Sequence, residues 1–129
     1  MKNNEIEEIL NLHNECFLDK KKYIDIENMF NNSSYKINTI VEEEFIGYMI
    51  LLDSFDSYEL FEIAIKEKYR NKGYAKKLLY SISYNKDIFL EVSEKNIAAI
   101  KLYEEIGFKK ISVRKKYYLD GSNALIMKK

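Results

Sequence analysis

The chain has 129 residues, of which 47% are hydrophobic and 33% charged, with no proline and a single cysteine. This length and balance predict one folded domain, residues 1–129, and argue against a disordered chain. No apolar run approaches the roughly 18 residues that a membrane span needs, so we expect no membrane partner. The N-terminus has no secretory-signal profile, and one cysteine cannot form an internal disulfide, so we expect a cytoplasmic protein.

The net charge of zero conceals an asymmetry along the chain. Residues 1–65 hold 5 basic and 14 acidic residues, a net of −9, whereas residues 66–129 hold 16 basic and 7 acidic residues, a net of +9. The two halves either face different partners or mingle in the fold and cancel.

The first half predicts two helices followed by three strands. Apolar residues at helical spacing in "NEIEEILNLHNECFL" predict an amphipathic helix on which His13 and Cys16 are packing residues, and "KKYIDIENMF" predicts a shorter one. "YKINTIVEE" and "EFIGYMILLDSF" predict two strands joined by a tight hairpin at residues 43–44. "SYELFEIAI" predicts a third strand, with Leu60, Glu62 and Ala64 on one face and Phe61, Ile63 and Ile65 on the other.

The second half alternates between helices and strands. "YRNKGYAKKLLY" carries a helical pattern, "DIFLEV" reads as a buried strand, and "SEKNIAAIKLYEEIG" predicts a helix that stops at Gly107. "FKKISVRKKYYL" and "NALIMKK" predict two strands joined by a turn at residues 120–121. The predicted order is therefore ααβββαβαββ, an α/β (α+β) arrangement in which one strand–helix–strand unit brings a parallel pair into a mixed sheet.

A glycine among the lysines of "YRNKGYAKKLLY" suggests an anion site. A strand that leads through a glycine turn into a helix leaves helix N–H groups free for phosphate, and Gly73 allows close approach to the backbone. Arg70, Lys72, Lys76 and Lys77 would add charge attraction. The stretch matches neither a Walker A loop nor a dinucleotide fingerprint. Taken alone, it could equally be the solvated start of a basic helix.

Four segments of the chain, taken together and in this order, carry a more specific pattern than the anion site alone: "LFEIAI", "YRNKGYAKKLL", "LEVSEKNIAAIKLYEEIGF" and "YYLDGSNALIM". They resemble the GNAT superfamily of acetyl-CoA-dependent N-acetyltransferases over residues 45–129, with Arg-x-x-Gly-x-Ala as the cofactor signature. The closest resemblance is to the RimI-type enzymes that acetylate the N-terminal alanine of a ribosomal protein. The resemblance implies a mixed, mostly antiparallel sheet flanked by about four helices, with the family's first strand short or absent.

The resemblance also implies roles for particular residues. The arm of acetyl-CoA would pair with a strand, its pyrophosphate would lie on backbone amides, and backbone N–H groups at a strand bulge would polarise the thioester carbonyl. Glu91 would be the general base and Tyr103 the general acid, and no metal would be needed. The implied cofactor-binding residues are Ile63, Ala64, Ile65, Asn71, Lys72, Gly73, Tyr74, Ala75, Lys76 and Asn96.

Residue spacing bears on the same site independently. Asn96 and Tyr103 are seven residues apart, so they share a helix face, and Glu91 ends a strand just before that helix. We therefore expect a carboxylate and a phenol to converge on one cleft. Tyr103 could instead be an ordinary core tyrosine, and Glu91 a solvated carboxylate at a strand end.

The predicted reaction is direct attack of an amine on acetyl-CoA in a ternary complex. An N-terminal α-amine, with a pKa near 7.7–8.0, is partly neutral at pH 7, so a single carboxylate is an adequate base. The acceptor would be a basic protein N-terminus such as that of a ribosomal protein, attracted by the acidic half around residues 42–56, with no direct nucleic-acid contact. A lysine, a small amine or a non-catalytic acyl-CoA sensor are the alternatives.

Overall fold

The computed structural model describes residues 2–129, in which the order of helices and strands is the predicted one. No helix in this range is long and apolar enough to cross a membrane, and no strand in it precedes the first helix. The elements are α1 (Lys2–Cys16), α2 (Tyr23–Phe30), β1 (Tyr35–Val41), β2 (Phe45–Ser54), β3 (Ser57–Ile65), a 3-10 turn (Glu67–Tyr69), α3 (Tyr74–Tyr80), β4 (Asp87–Ser93), α4 (Ile97–Ile106), β5 (Lys109–Arg114) and β6 (Ala124–Lys128).

The six strands form one sheet in the order β1-β2-β3-β4-β6-β5. Strands β3 and β4 run parallel, and every other neighbouring pair is antiparallel, which confirms the predicted mixed sheet. The parallel pairing is short, because it joins only residues 57–59 of β3 to residues 87–89 of β4. Beyond that point the two strands separate and leave a gap in the middle of the sheet.

A β-bulge in β3 lies at the start of this gap. Leu51 of β2 pairs with Leu60, while the adjacent Ile50 pairs with Glu62, so Phe61 is an extra residue. Leu60 consequently packs in the same core as Ile63, and the Phe61 ring meets Tyr35 edge-on at 5.7 Å. The predicted alternation is therefore wrong for Leu60 and Phe61, because a bulge consumes one residue without advancing the ladder.

The sheet has a hydrophobic core on each face. One core joins α3 and α4 to the sheet through Leu78, Leu79, Tyr103 and Ile106. The other holds α1 and α2 against strands β1–β3, with Ile6, Ile9, Leu12 and Ile26 from the helices. Gly107 ends α4 as predicted, with φ +116°, a left-handed conformation that glycine adopts at helix ends without strain.

A buried polar network lies within the α1–α2 core. His13 Nδ1 lies 2.6 Å from the Glu62 carboxylate, which also accepts a hydrogen bond from the Tyr48 hydroxyl. The other ring nitrogen donates to the Asp19 carbonyl at 2.7 Å. His13 is thus buried, as predicted, but it is held by hydrogen bonds as well as by packing. Cys16, predicted to pack, is instead exposed at the end of α1.

Candidate functional site

A cleft of about 650 Å³ opens between the end of β3, the start of α3 and one face of α4. It brings together most of the residues that the sequence predicted for the site. Those that line it are Ile63, Ala64, Ile65, Asn71, Gly73, Tyr74, Ala75, Lys76, Asn96 and Tyr103. The Lys72 side chain and Glu91 do not.

One wall of the cleft is a strand edge without a partner. Residues 63–65 pair with β2 on one side, but β4 has already diverged on the other. A strand edge of this kind can pair with an extended ligand through its backbone groups. The position of the gap therefore leaves the end of β3 as an open strand edge.

The opposite wall carries a row of free backbone donors. Within residues 2–129, the N–H groups from Asn71 to Lys76 have no acceptor, and the first N–H to be bonded is that of Lys77, to Gly73 O at 3.0 Å. Asn71 and Gly73 have positive φ angles of 62° and 86°, which turn this loop into α3. A Cβ on Gly73 would meet nothing within 4 Å, so the backbone there faces open space. Such consecutive N–H groups form a concavity suited to an anion.

The charged groups of Arg70 and Lys72 make contacts with other residues of the chain and are not free to bind a ligand in this concavity. Arg70 lines the cleft, but its Nε donates to Ile65 O at 2.9 Å, and one of its terminal nitrogens contacts Cys16 Sγ at 3.3 Å. The Lys72 ammonium lies over the Tyr69 ring, 6.0 Å from its centre. Arg70 therefore braces the loop against β3 and α1, and Lys72 is directed towards Tyr69.

Tyr103 presents its hydroxyl to the cleft. The residue is 8% exposed, and its ring packs edge-on against Phe108 at 5.9 Å. Among the described residues its hydroxyl has no hydrogen-bond partner, yet no fully buried side-chain oxygen in them lacks one. The hydroxyl must therefore open into the cleft. Burial raises the pKa of Tyr103 to about 12, so the phenol carries its proton at neutral pH.

Asn96 lies directly before α4 and on the same cleft, as the seven-residue spacing from Tyr103 predicted. Its side-chain oxygen accepts a hydrogen bond from the Ala99 N–H at 3.2 Å, which caps the helix. Capping occupies the oxygen and fixes the orientation of the amide. The amide nitrogen of Asn96 has no partner within residues 2–129 and is free to donate to a ligand.

Glu91 lies in a different cavity, of about 290 Å³, together with Glu59, Phe89 and Arg114. Its carboxylate is 3.4 Å from an Arg114 guanidinium nitrogen. Since Leu90 and Val92 point into the α3–α4 core with Tyr103, strand alternation puts Glu91 on the other face of the sheet. The expectation that Glu91 and Tyr103 converge on one cleft is therefore not met.

Two features of the site escaped the sequence analysis. Burial, and to a smaller extent the charge of Glu91, raises the pKa of Tyr118, so this tyrosine interacts electrostatically with the carboxylate. On α4, Ala98, Leu102 and Glu105 also line the large cleft. Their spacing of four and three residues marks a second stripe along the helix that the sequence could have revealed.

The chain is similar to known proteins in sequence and in fold. Residues 4–108 match the family model described as Acetyltransferase (GNAT) family. An N-alpha-acetyltransferase of Saccharolobus solfataricus is 46% identical over 72 residues, which cover 50% of this chain and 43% of that protein. The [Ribosomal protein bS18]-alanine N-acetyltransferase of Haemophilus ducreyi is 36% identical over 67% of this chain and 66% of its own length, and that of Haemophilus influenzae is 35% identical over 70% and 68%. The chain thus spans less than two thirds of the first two relatives.

Solved structures show the same fold. The ribosomal-protein-S18-alanine N-acetyltransferase of Escherichia coli superposes with a TM-score of 0.82 at 22% identity, covering 99% of this chain and 88% of that one. Spermidine N-acetyltransferase SpeG of Vibrio cholerae superposes with a TM-score of 0.80 at 22% identity, covering 99% and 90%. Since the names of these two proteins specify different acceptors, the fold alone does not identify the amine.

Proposed function

Because the chain belongs to the acetyltransferase (GNAT) family, we propose that it transfers an acetyl group from acetyl-CoA to the α-amine of a protein N-terminus. The observation that carries the proposal is the cleft, where an unpaired strand edge, free backbone N–H groups and a protonated tyrosine meet. The relatives that cover most of this chain are named for N-terminal alanine acetylation of a ribosomal protein, which supports this class of acceptor. Residues 1–129 would form one catalytic domain, and the single cysteine favours a cytoplasmic setting.

The open strand edge and the free backbone donors of the cleft support acetyl-CoA as its ligand. When bound, this cosubstrate supplies an acetyl group activated as a thioester. Residues 63–65 would pair with its extended arm, the amides from Asn71 to Lys76 would hold its pyrophosphate, and Asn96 would contact it from α4. The absence of a side chain at Gly73 keeps these amides accessible.

Tyr103 is suited to assist the departure of the thiolate. A thiol has a pKa near 8.5, below the value of about 12 for Tyr103, so full proton transfer to the thiolate is uphill. The hydroxyl would therefore lower the barrier by donating a hydrogen bond to the charge that develops on sulfur as the carbon–sulfur bond breaks. The hydroxyl has no competing partner in the described chain, so it is free to donate into the cleft. Backbone N–H groups beside the Phe61 bulge would polarise the thioester carbonyl.

Glu91 would accept the proton of the acceptor amine from the other side of the sheet. The pairing of β3 with β4 ends at Phe89, two residues before Glu91, so the gap opens at the level of this carboxylate. An amine that enters on the Glu91 face could thus meet the thioester that lies on the Tyr103 face. Arg114 lies 3.4 Å from this carboxylate and would hold it in place.

The acidic half attracts a basic acceptor less than its composition suggests. Glu44 is paired with Lys66 and Lys68, and Asp53 with Lys86, all three lysines coming from the basic half. Within residues 42–56, we therefore assign the electrostatic attraction to residues 42, 43 and 56, whose carboxylates have no lysine or arginine partner within residues 2–129. Reversing these three charges should lower kcat/KM for a basic peptide and weaken its dependence on salt.

The test is thiol release from acetyl-CoA with a peptide that begins Ala-Arg, the same peptide with a blocked N-terminus, and a panel of lysine peptides and polyamines. Turnover of the free N-terminus but not of the blocked peptide supports the proposal. Turnover of the lysine peptides or the polyamines alone would show that the acceptor is a lysine or a polyamine and not a protein N-terminus. Tight CoA binding without turnover of any acceptor would indicate a sensor.

A further inference from the structure

An ion pair bridges α3 and α4 across the large cleft. Lys76 Nζ lies 2.6 Å from Glu105 Oε2, and each side chain is about half exposed, at 45% and 44%. Both residues line the cleft, and no other ion pair among the described residues has both members there. The pair therefore joins the α3 and α4 walls of the cleft, beside the amides of residues 71–76.

A carboxylate is out of place in this position if the cleft binds an anion. The hydrogen bond from Lys76 is the largest cause that lowers the pKa of Glu105, and the charge of Lys101 lowers it further. The same hydrogen bond raises the pKa of Lys76. Both groups are therefore charged at neutral pH. The ammonium group of Lys76, which lines the cleft beside the free amides, is thus already paired with the Glu105 carboxylate.

We propose that Glu105 competes with the phosphates of CoA for Lys76, so that the ion pair opens when the cofactor binds and closes again when CoA leaves. The inference rests on the proposed function, since it takes a CoA compound as the ligand of the cleft. Its consequence is that Glu105 weakens CoA binding and favours product release. No other residue described above opposes the ligand of this cleft.

The neighbouring residue provides a matched control. Glu104 lies on the same helix and is exposed, but it does not line the cleft and has no ion-pair partner in the described chain. Glu105→Gln and Glu104→Gln remove the same charge from adjacent positions. A general effect of net charge would change both variants alike, whereas competition for Lys76 would change only the first.

The experiment is calorimetric titration of free CoA into wild type, Glu105→Gln, Glu104→Gln and Lys76→Gln, with thermal melts to verify folding. We expect Glu105→Gln to lower the Kd about two- to fivefold, the range for breaking one exposed ion pair, and Glu104→Gln to change it less. The difference should shrink near 1 M salt, where the screening length is about 3 Å. In a Lys76→Gln background, Glu105→Gln should lose most of its effect.

The outcomes separate this inference from the proposed function. Wild type that binds CoA, with Glu105→Gln no tighter than Glu104→Gln, overturns the competition and leaves the acetyltransferase proposal intact. A weaker Glu105→Gln complex would mean that Glu105 assists binding and would also overturn it. Absence of CoA binding in every variant overturns both proposals.

Discussion

Replacing Tyr103 with phenylalanine isolates the chemistry of one hydroxyl group. The ring would keep its contact with Phe108, and the hydroxyl has no partner in the described chain whose loss would be costly. We therefore expect an unchanged melting temperature at pH 7 and an unchanged Kd for CoA. Loss of a general acid should lower kcat about 10²- to 10⁴-fold, equivalent to roughly 3–5 kcal/mol of activation free energy.

The same substitution should change the response to alkaline pH. The pKa of Tyr103 is about 12 in the fold, against about 10 in an unfolded chain. Between these values the unfolded state binds fewer protons, so the free energy of unfolding falls as pH rises from 10 to 12. The variant lacks this contribution and should lose less stability over that range, although buried Tyr48, whose pKa is also raised by burial, still contributes.

The assay is steady-state thiol release, with CoA binding and thermal melts measured on the same preparations. Tyr80→Phe is the matched control, because Tyr80 is 63% exposed and lies outside the cleft. A kcat for Tyr103→Phe within threefold of wild type would refute the role of proton donor. A loss that appears in Kd rather than in kcat would reassign the hydroxyl to cofactor binding.

Three further substitutions test the rest of the structure. Gly73→Ala puts a Cβ on a residue with φ +86°, which should destabilise the fold by roughly 1–2 kcal/mol. The new Cβ should also obstruct the amides and raise the Kd for CoA about ten- to a hundredfold. An unchanged Kd in calorimetry would show that this loop does not bind the anion. Glu91→Gln should lower kcat about a hundredfold or more. Glu59→Gln, in the same cavity, is the control and should have little effect on kcat. Equal losses of kcat in the two variants would show that Glu91 has no specific catalytic role. His13→Leu removes one of the two side-chain partners of the buried Glu62 carboxylate and should cost about 3–5 kcal/mol in urea unfolding. Glu62→Gln should restore part of this stability. A cost below 1 kcal/mol would show that the contact between His13 and Glu62 contributes little to the fold.

The order of elements could be predicted because each helix and strand is encoded locally. The periodicity of α4 and its stop at Gly107 depend on neighbouring residues alone, and both were found where the sequence put them. The cleft was also predictable in outline, since its backbone wall and Tyr103 belong to segments whose spacing places them together.

Features that depend on distant pairing could not be predicted. Nothing within residues 57–65 marks Phe61 as a bulge, because the bulge is defined by where β2 pairs on either side of it. The contacts of Arg70 with Ile65 and Cys16, and of Lys76 with Glu105, likewise join separate elements. The face of the sheet on which Glu91 lies could have been predicted from the sequence, since Glu91 alternates with the buried Leu90 and Val92.

The Phe61 bulge also bears on how such a cleft can arise or disappear. Leu60 and Glu62 already face opposite sides of the sheet, so deleting the single codon for Phe61 would leave every other side chain of β3 on its present face and in its present pairing with β2. The deletion would remove only the bend that a bulge introduces just where β3 leaves β4. The strand could then continue its ladder with β4 and close the gap. A one-residue insertion or deletion could thus create or abolish the binding surface, a change that no substitution in the strand would achieve as directly.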